Sequence, residues 1–150
     1  LGEPYSVCAY TATLAHRMEA EDAGVAIVRF KSGALATIEG STLTYPENLE
    51  GSLAIFGQRG SVKIGGTALN RKEVWKIAGE LEKERELLTR QDLDPPSVYG
   101  NGHQTVLTDM AEAVAHDRPP AITGSEARKP LALVLALYES ARTGKEILLA

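Results

Sequence analysis

The chain has 150 residues, which is enough for one domain with a sizeable core and too few for two full-sized domains. With 43% hydrophobic and 24% charged residues, its composition is that of a globular protein and excludes the disordered and fibrous classes. The 16 basic and 20 acidic side chains give a net charge of -4 without a basic run, which argues against a nucleic-acid partner.

The first half of the chain has the pattern of antiparallel strands. Tyr5 to Ala15 is rich in β-branched and aromatic residues, and Gly24 to Lys31 alternates with the period of two that is typical of a sheet. Ser32-Gly33 predicts a tight turn, because glycine adopts positive φ readily, and the returning strand runs from Ala34 to about Thr44. Three further short strands bring the predicted number to about six: Ser52 to Phe56, Ser61 to Ile64 and Leu69 to Ile77.

The second half changes to helical spacing after a charged segment, Gly79 to Arg90, and a Pro-rich loop, Leu93 to Gly102. From His103 an apolar stripe predicts a helix that ends before Asp117. A second helix is predicted between a capping box that begins at Thr123 and a stop at Gly144.

Apolar residues of the second helix cover more than one stripe, so we expect this helix to be largely buried, with a kink at Pro130. Lys145 to Ala150 predicts a last edge strand.

The order of the elements, with strands first, helices last and no βαβ alternation, predicts the α+β class. The expected architecture is an open, mostly antiparallel sheet of about six strands with two C-terminal helices packed on one face.

The opposite face of the predicted sheet is also apolar at several positions: Val25, Ile27, Leu35 and Leu43. An exposed apolar patch usually marks an interface, so we expect a partner chain or domain.

Cys8 is the single cysteine and cannot form an internal disulfide, which predicts a reducing, cytoplasmic location. The longest apolar run, Leu131 to Tyr138, is shorter than the roughly 20 residues of a membrane span, so no membrane segment is expected.

Few residues carry a signal for chemistry. The run Gly100 to Thr105 begins like a dinucleotide fingerprint, but it lacks the final glycine and follows a Pro-rich loop, so we reject it as a cofactor site. Asp92 and Asp94 could ligate a metal, although two carboxylates near a Pro pair more commonly solvate a loop. We predict no catalytic, cofactor-binding or metal-binding residue in this chain.

Three residues are candidates for contact with a ligand. His103 begins a helix after a glycine-bracketed loop, so its imidazole could project into a cleft and donate to a ligand hydroxyl or carboxylate. Asn101 could bind the same ligand or cap the helix. Tyr45 begins a polar cluster at the end of a long strand, which a plain turn explains equally well.

Two stretches, Gly51 to Ile77 and Arg118 to Ile147, resemble the C-terminal domain of the Gfo/Idh/MocA oxidoreductases. The run Gly65 to Asn70, followed by Glu73-Val-Trp75, is similar to the subgroup that oxidises C3 of UDP-N-acetylglucosaminuronic acid. The resemblance implies that residues 1–150 form the substrate-binding and oligomerisation domain of an NAD(P)-dependent sugar or nucleotide-sugar dehydrogenase. In that family the open sheet face commonly builds homo-oligomers.

The resemblance also implies what this chain lacks. In the family, the cofactor glycines, the catalytic lysine and the acid/base histidine belong to an N-terminal Rossmann domain, which would precede Leu1. The isolated chain is therefore expected to be inactive, with NAD(P) a cofactor of the full-length protein only. Tyr45, Asn101 and His103 resemble the family's substrate-facing loops.

Two other functions stay open at this point. One is a free-standing α+β binding or assembly module without enzymatic activity. The other is a small hydrolase or isomerase that uses His103 with Asp109, although residues six apart on a helix point to different sides.

Overall fold

The computed structural model describes residues 1–82, 86–87, 100 and 102–149. In this described part the chain divides into two compact units, unit 1 with Leu1–Thr44 and Ile122–Ala150, and unit 2 with Tyr45–Ala121. The elements with described bounds are β1 (Pro4–Ala12), β2 (Ala23–Phe30), β3 (Leu35–Ser41), β4 (Leu53–Gly57), β5 (Gly60–Gly65), β6 (Arg71–Ile77), α1 (Gly102–Ala115), α2 (Gly124–Thr143) and β7 (Ile147–Leu148). The predicted α+β class with open antiparallel sheets is confirmed.

Unit 1 is built on a four-stranded antiparallel sheet with the strand order β3-β2-β1-β7. The predicted turn between β2 and β3 is confirmed, since Gly33 has a φ of 90° and Phe30 N donates to Ala34 O at 2.9 Å. The predicted edge strand is also present, because β7 pairs with β1 at the edge of the sheet.

The inner face of this sheet packs on α2 through β1. Alternate residues of β1 and β2 form the core, and Val7 and Val28 are each only 1% exposed. Helix α2 begins and ends where the sequence predicts: the Thr123 hydroxyl accepts a hydrogen bond from Glu126 N at 3.3 Å, and Gly144 closes the helix with a φ of 65°. These caps satisfy backbone groups that a helix end otherwise leaves without partners.

A buried hydroxyl joins α2 to β1 and to the turn that leads into β7. Ser140, which is 0% exposed, accepts a hydrogen bond from Ala9 N at 3.0 Å and donates one to Lys145 O at 2.7 Å. The first bond fixes α2 to β1, and the second fixes the turn that leads into β7.

The prediction that α2 is largely buried is wrong. Ser140 is its buried residue, whereas Leu131 and Leu135 are 56% and 60% exposed. A helix on one sheet layer buries one stripe of side chains, and these two leucines belong to another stripe. The helix continues through Pro130. None of the described helices is long and apolar enough to cross a membrane.

Strand β1 is shorter than the predicted Tyr5 to Ala15, because it ends at Ala12. The backbone N–H groups of Leu14 and Ala15 donate to the Asp22 carboxylate instead of to a neighbouring strand. The side chain of Asp22 therefore ends the strand.

Unit 2 contains the three-stranded antiparallel sheet β4-β5-β6 and helix α1. The described strands number seven and belong to two sheets, where the sequence predicts about six in one. The connection from Thr42 to Ser52 is too long for a tight hairpin and contains Pro46, so β4 pairs with β5 instead of β3.

Candidate functional site

The residues that carry part of the family resemblance lie in unit 2, between β5 and β6. We call residues 66–70 the β5–β6 turn. Gly66 has a φ of 89° and Leu69 a φ of 55°, which are left-handed conformations that favour glycine. Gly51 N donates to Gly66 O at 2.9 Å, so the segment that leads into β4 is fixed to this turn.

Gly51 and Gly100 both pack closely on the β5–β6 turn. A Cβ atom at Gly51 would lie 3.4 Å from Leu69 Cγ, and one at Gly100 would lie 3.5 Å from the Ala68 Cβ. Helix α1 begins at Gly102, so its first turn starts beside the β5–β6 turn. Because glycine has no side chain, it leaves the backbone accessible, and a helix N-terminus has free N–H groups. Together these features can present backbone N–H groups to a hydroxyl-rich or anionic ligand.

A partly exposed ion pair lies on the hairpin that carries this turn. Lys63 Nζ is 2.6 Å from Glu73 Oε2, and the hydrogen bond between them, together with the charge of Glu50, raises the pKa of Lys63. A register shift in the β5–β6 pairing places Glu73 beside Gly65, where an added Cβ would overlap the carboxylate. The absence of a side chain at Gly65 therefore allows the ion pair to form.

The three predicted ligand contacts have different outcomes. His103 lies in the first turn of α1, exposed and three residues after Gly100, which brings it near the β5–β6 turn. Asn101 lies outside the described residues. The Tyr45 side chain is 95% exposed, so its packing does not show that it lies near His103.

Asp109 is not available as a partner for His103. Its Oδ2 accepts a hydrogen bond from Ala121 N at 2.7 Å, and its Oδ1 lies 2.9 Å from Arg118 Nη2. The Ala121 N–H and the Arg118 guanidinium lower the pKa of Asp109, so its carboxylate is held charged at the end of unit 2. This arrangement disfavours a hydrolase or isomerase that pairs the two residues.

Asp22 is an important polar residue that sequence reasoning missed. It is 1% exposed and accepts hydrogen bonds from the backbone N–H groups of His16, Ala15 and Leu14 at 3.0, 2.9 and 2.7 Å. These bonds hold the pKa of Asp22 well below its usual range. An aspartate just before a strand is common in turns, so the sequence contained no signal that would distinguish this role.

The face of the unit 1 sheet that points away from α2 is a second candidate surface, which we call the open face. Val25, Ile27 and Leu35 lie on it and are 53%, 55% and 70% exposed, as the sequence predicts. Leu43 lies beyond the end of β3. Strand pairing arranges the open face in four rows across β1, β2 and β3: Ser6-Arg29-Leu35, Cys8-Ile27-Thr37, Tyr10-Val25-Glu39 and Ala12-Ala23-Ser41.

The described residues contain no group of three or more His, Cys, Asp or Glu side chains that could hold a metal ion. Asp92 and Asp94, the carboxylates considered above for that role, lie outside the described residues.

Comparison with known proteins agrees with the resemblance. Residues 1–149 match the family described as oxidoreductase family, C-terminal alpha/beta domain. Among solved structures, the chain is 44% identical to the WlbA dehydrogenase from Bordetella pertussis in complex with NADH and UDP-GlcNAcA, with a TM-score of 0.86 over 100% of this chain and 43% of that one. The WlbA dehydrogenase from Chromobacterium violaceum, in complex with the same two molecules, is 37% identical with a TM-score of 0.84, over 100% and 41%.

A more distant structure shares the fold alone. Levoglucosan dehydrogenase in complex with NADH and levoglucosan is 17% identical with a TM-score of 0.73, over 98% of this chain and 45% of that one. No curated protein matches the chain. This chain therefore spans less than half the length of each of these dehydrogenases.

Proposed function

Because the chain belongs to the Gfo/Idh/MocA oxidoreductase family as its C-terminal α/β domain, we propose that it binds substrate and assembles subunits in an NAD(P)-dependent dehydrogenase. The substrate class is a sugar or nucleotide sugar, and we place the enzyme in the cytoplasm. The observation that carries the proposal is 44% identity over the whole chain to a dehydrogenase solved with NADH and UDP-GlcNAcA.

The β5–β6 turn and the start of α1 support the substrate-binding role. Gly51, Gly66 and Gly100 bring backbone close to backbone there, and His103 adds an exposed imidazole. Such a surface can donate hydrogen bonds to sugar hydroxyls or to a carboxylate without performing proton transfer. Tyr45, Asn101 and His103 are the proposed substrate contacts.

The described part of this chain does not fit a dinucleotide. Nicotinamide cofactors bind to a parallel βαβ unit, with the pyrophosphate at the helix N-terminus, and the described strands pair only in antiparallel fashion. The run that begins at Gly100 follows no strand of such a unit. We therefore assign no residue of this chain to NAD(P) and no step of hydride transfer to its side chains.

Replacing His103 by alanine in the whole enzyme tests the substrate-binding role. Loss of one neutral hydrogen bond costs about 0.5 to 1.5 kcal/mol, so we expect KM for the sugar to rise roughly two- to tenfold, with the cofactor KM nearly unchanged and kcat only modestly lowered. Steady-state formation of the reduced cofactor measures all three constants. His116→Ala is the matched control, because His116 lies at the other end of α1 and its Nδ1 contacts Glu112 O at 2.9 Å.

Two results would contradict this role. A fall in kcat of roughly a thousandfold or more, with binding intact, would make His103 a general acid or base. No effect on the sugar KM or on kcat would leave His103 a structural residue. If the gene product contains no dinucleotide-binding unit, the alternative of a free-standing α+β binding or assembly module is favoured.

The assembly role is tested at the centre of the open face. We expect Ile27→Glu to abolish self-association with little change in Tm, since Ile27 is 55% exposed. Light scattering at roughly tens of micromolar protein measures the result, because a standard-sized interface forms well below that concentration. Val28→Glu is the contrasting variant: Val28 is 1% exposed, so a charge there should unfold unit 1 instead.

A further inference from the structure

We propose that the ion pair between Lys63 and Glu73 positions the β5–β6 turn for substrate. The inference rests on the substrate-binding role proposed above and adds to it two residues that act through the turn without touching the sugar. Both are therefore positioning residues and not catalytic ones.

The pair forms because β6 contains an extra residue. Lys63 pairs with Val74 across the two strands. The next pair is Ile64 with Lys72, so Glu73 has no residue opposite it on β5. In a regular strand Glu73 and Val74 would point to opposite faces, and Val74 shares the face of Lys63. A β-bulge turns a side chain from its regular direction, and here it brings Glu73 Oε2 to 2.6 Å from Lys63 Nζ.

The ion pair lies at the base of the β5–β6 turn. The Glu73 carboxylate occupies the space beside Gly65, the last residue of β5. The turn begins at the next residue, whose carbonyl oxygen accepts the hydrogen bond from Gly51 N at 2.9 Å. The negative charge of Glu50, the residue before Gly51, also attracts Lys63. Lys63 therefore interacts both with β6 and with the segment that leads into β4, at the point where the two segments meet the turn.

The Lys63–Glu73 pair is partly shielded from water. Its two side chains are 37% and 34% exposed, whereas Lys129 and Glu126, which form a pair of the same length on α2, are 69% and 58% exposed. Water screens exposed charges, so a shielded pair fixes its surroundings more firmly than an exposed one. A turn that has lost this pair must be ordered again when substrate binds, which lowers affinity and leaves the reacting groups unaffected.

Replacement of Lys63 by methionine in the whole enzyme is the first test. The substitution removes the charge and keeps a long side chain. We expect KM for the sugar to rise about three- to tenfold, with kcat and the cofactor KM nearly unchanged. Lys63→Arg should retain most of the affinity, because it keeps the charge. Lys129→Met is the matched control and should change none of the three constants, because it breaks the exposed pair on α2.

Replacement of Gly65 by alanine breaks the pair without removing a charge. The added Cβ would overlap the carboxylate of Glu73, which is the flexible end of a side chain, so the carboxylate should move away from Lys63 while the backbone stays in place. We expect the same rise in the sugar KM as for Lys63→Met. In a Glu73→Ala background, Gly65→Ala should have no further effect, because the carboxylate is absent. Such non-additivity identifies a shared interaction.

The outcomes separate this inference from the proposed function. If Lys63→Met and Gly65→Ala leave the sugar KM unchanged while His103→Ala raises it, the substrate-binding surface stands and the positioning role is wrong. If none of these three variants changes the sugar KM, the substrate-binding role of this surface fails, and the positioning role fails with it. Additive effects of Gly65→Ala and Glu73→Ala would also overturn the inference, because they would show that the two residues act independently.

Discussion

Asp22→Ala is expected to lower the Tm of unit 1 by roughly 5 to 15 °C. The substitution removes the acceptor of three backbone hydrogen bonds, from the N–H groups of Leu14, Ala15 and His16. Asp22 is 1% exposed, so water cannot easily replace the lost acceptor. Glu19→Ala is the control, because Glu19 is an exposed acidic residue of the same loop.

The same carboxylate predicts a pH dependence of stability. The hydrogen bonds lower the pKa of Asp22 from its ordinary value of 3.8, so the folded state binds this proton less readily than the unfolded state. The resulting stabilisation is fully present above the ordinary pKa and is lost as the pH falls through the lower, folded-state value. The Tm difference between the unmodified chain and Asp22→Asn should therefore shrink on acidification below about pH 3.8. A difference that is equal at neutral and strongly acidic pH would contradict this explanation.

Gly60→Ala is expected to disrupt the three-stranded sheet of unit 2, with a loss of about 3 kcal/mol in the free energy of unfolding. A Cβ at Gly60 would overlap the carbonyl oxygen of Lys76 and lie 3.0 Å from Ile77 Cα. Gly60 pairs directly with Ile77 in the β5–β6 register, so the conflict is with the backbone of the neighbouring strand. Relief therefore requires β5 and β6 to separate.

Urea unfolding followed by tryptophan fluorescence measures this effect, because Trp75 is the single tryptophan of the chain and lies in β6. Gly57→Ala is a matched control within the same hairpin. A Cβ there would meet nothing closer than Gly60 O at 3.5 Å, an ordinary contact. Equal destabilisation by both variants would show that loss of glycine flexibility, and not the contact with β6, is responsible.

Features of the fold that depend on local chemistry could be predicted from the sequence. The turn at Gly33 and the caps of α2 at Thr123 and Gly144 each depend on the preferences of a few adjacent residues. The division of the strands between two sheets could not be predicted, because it depends on which distant strands pair. The exposure of the second apolar stripe of α2 could not be predicted either, because apolar periodicity does not show how many layers of structure cover a helix.

In the candidate site, too, only the features that depend on adjacent residues could be predicted from the sequence. The position of His103 at the start of α1 follows from the change to helical spacing after Gly100. The contact between Gly100 and Ala68 joins segments that are far apart in the sequence, so no local pattern could predict it. Tyr45 stays a prediction, since its side chain is 95% exposed and its packing does not distinguish a ligand contact from a plain turn.

Unit 1 is discontinuous in the chain, with Tyr45–Ala121 between its two segments, and this has a consequence for the order of folding. During synthesis β1, β2 and β3 leave the ribosome before all of unit 2, while the helix that covers Val7 and Val28 is made afterwards. Closure of this core waits for contacts between distant segments, which fold slowly and leave apolar strands open to misassociation. We therefore expect the sheet of unit 1 to stay open to misassociation until the segment that begins at Ile122 has been synthesised.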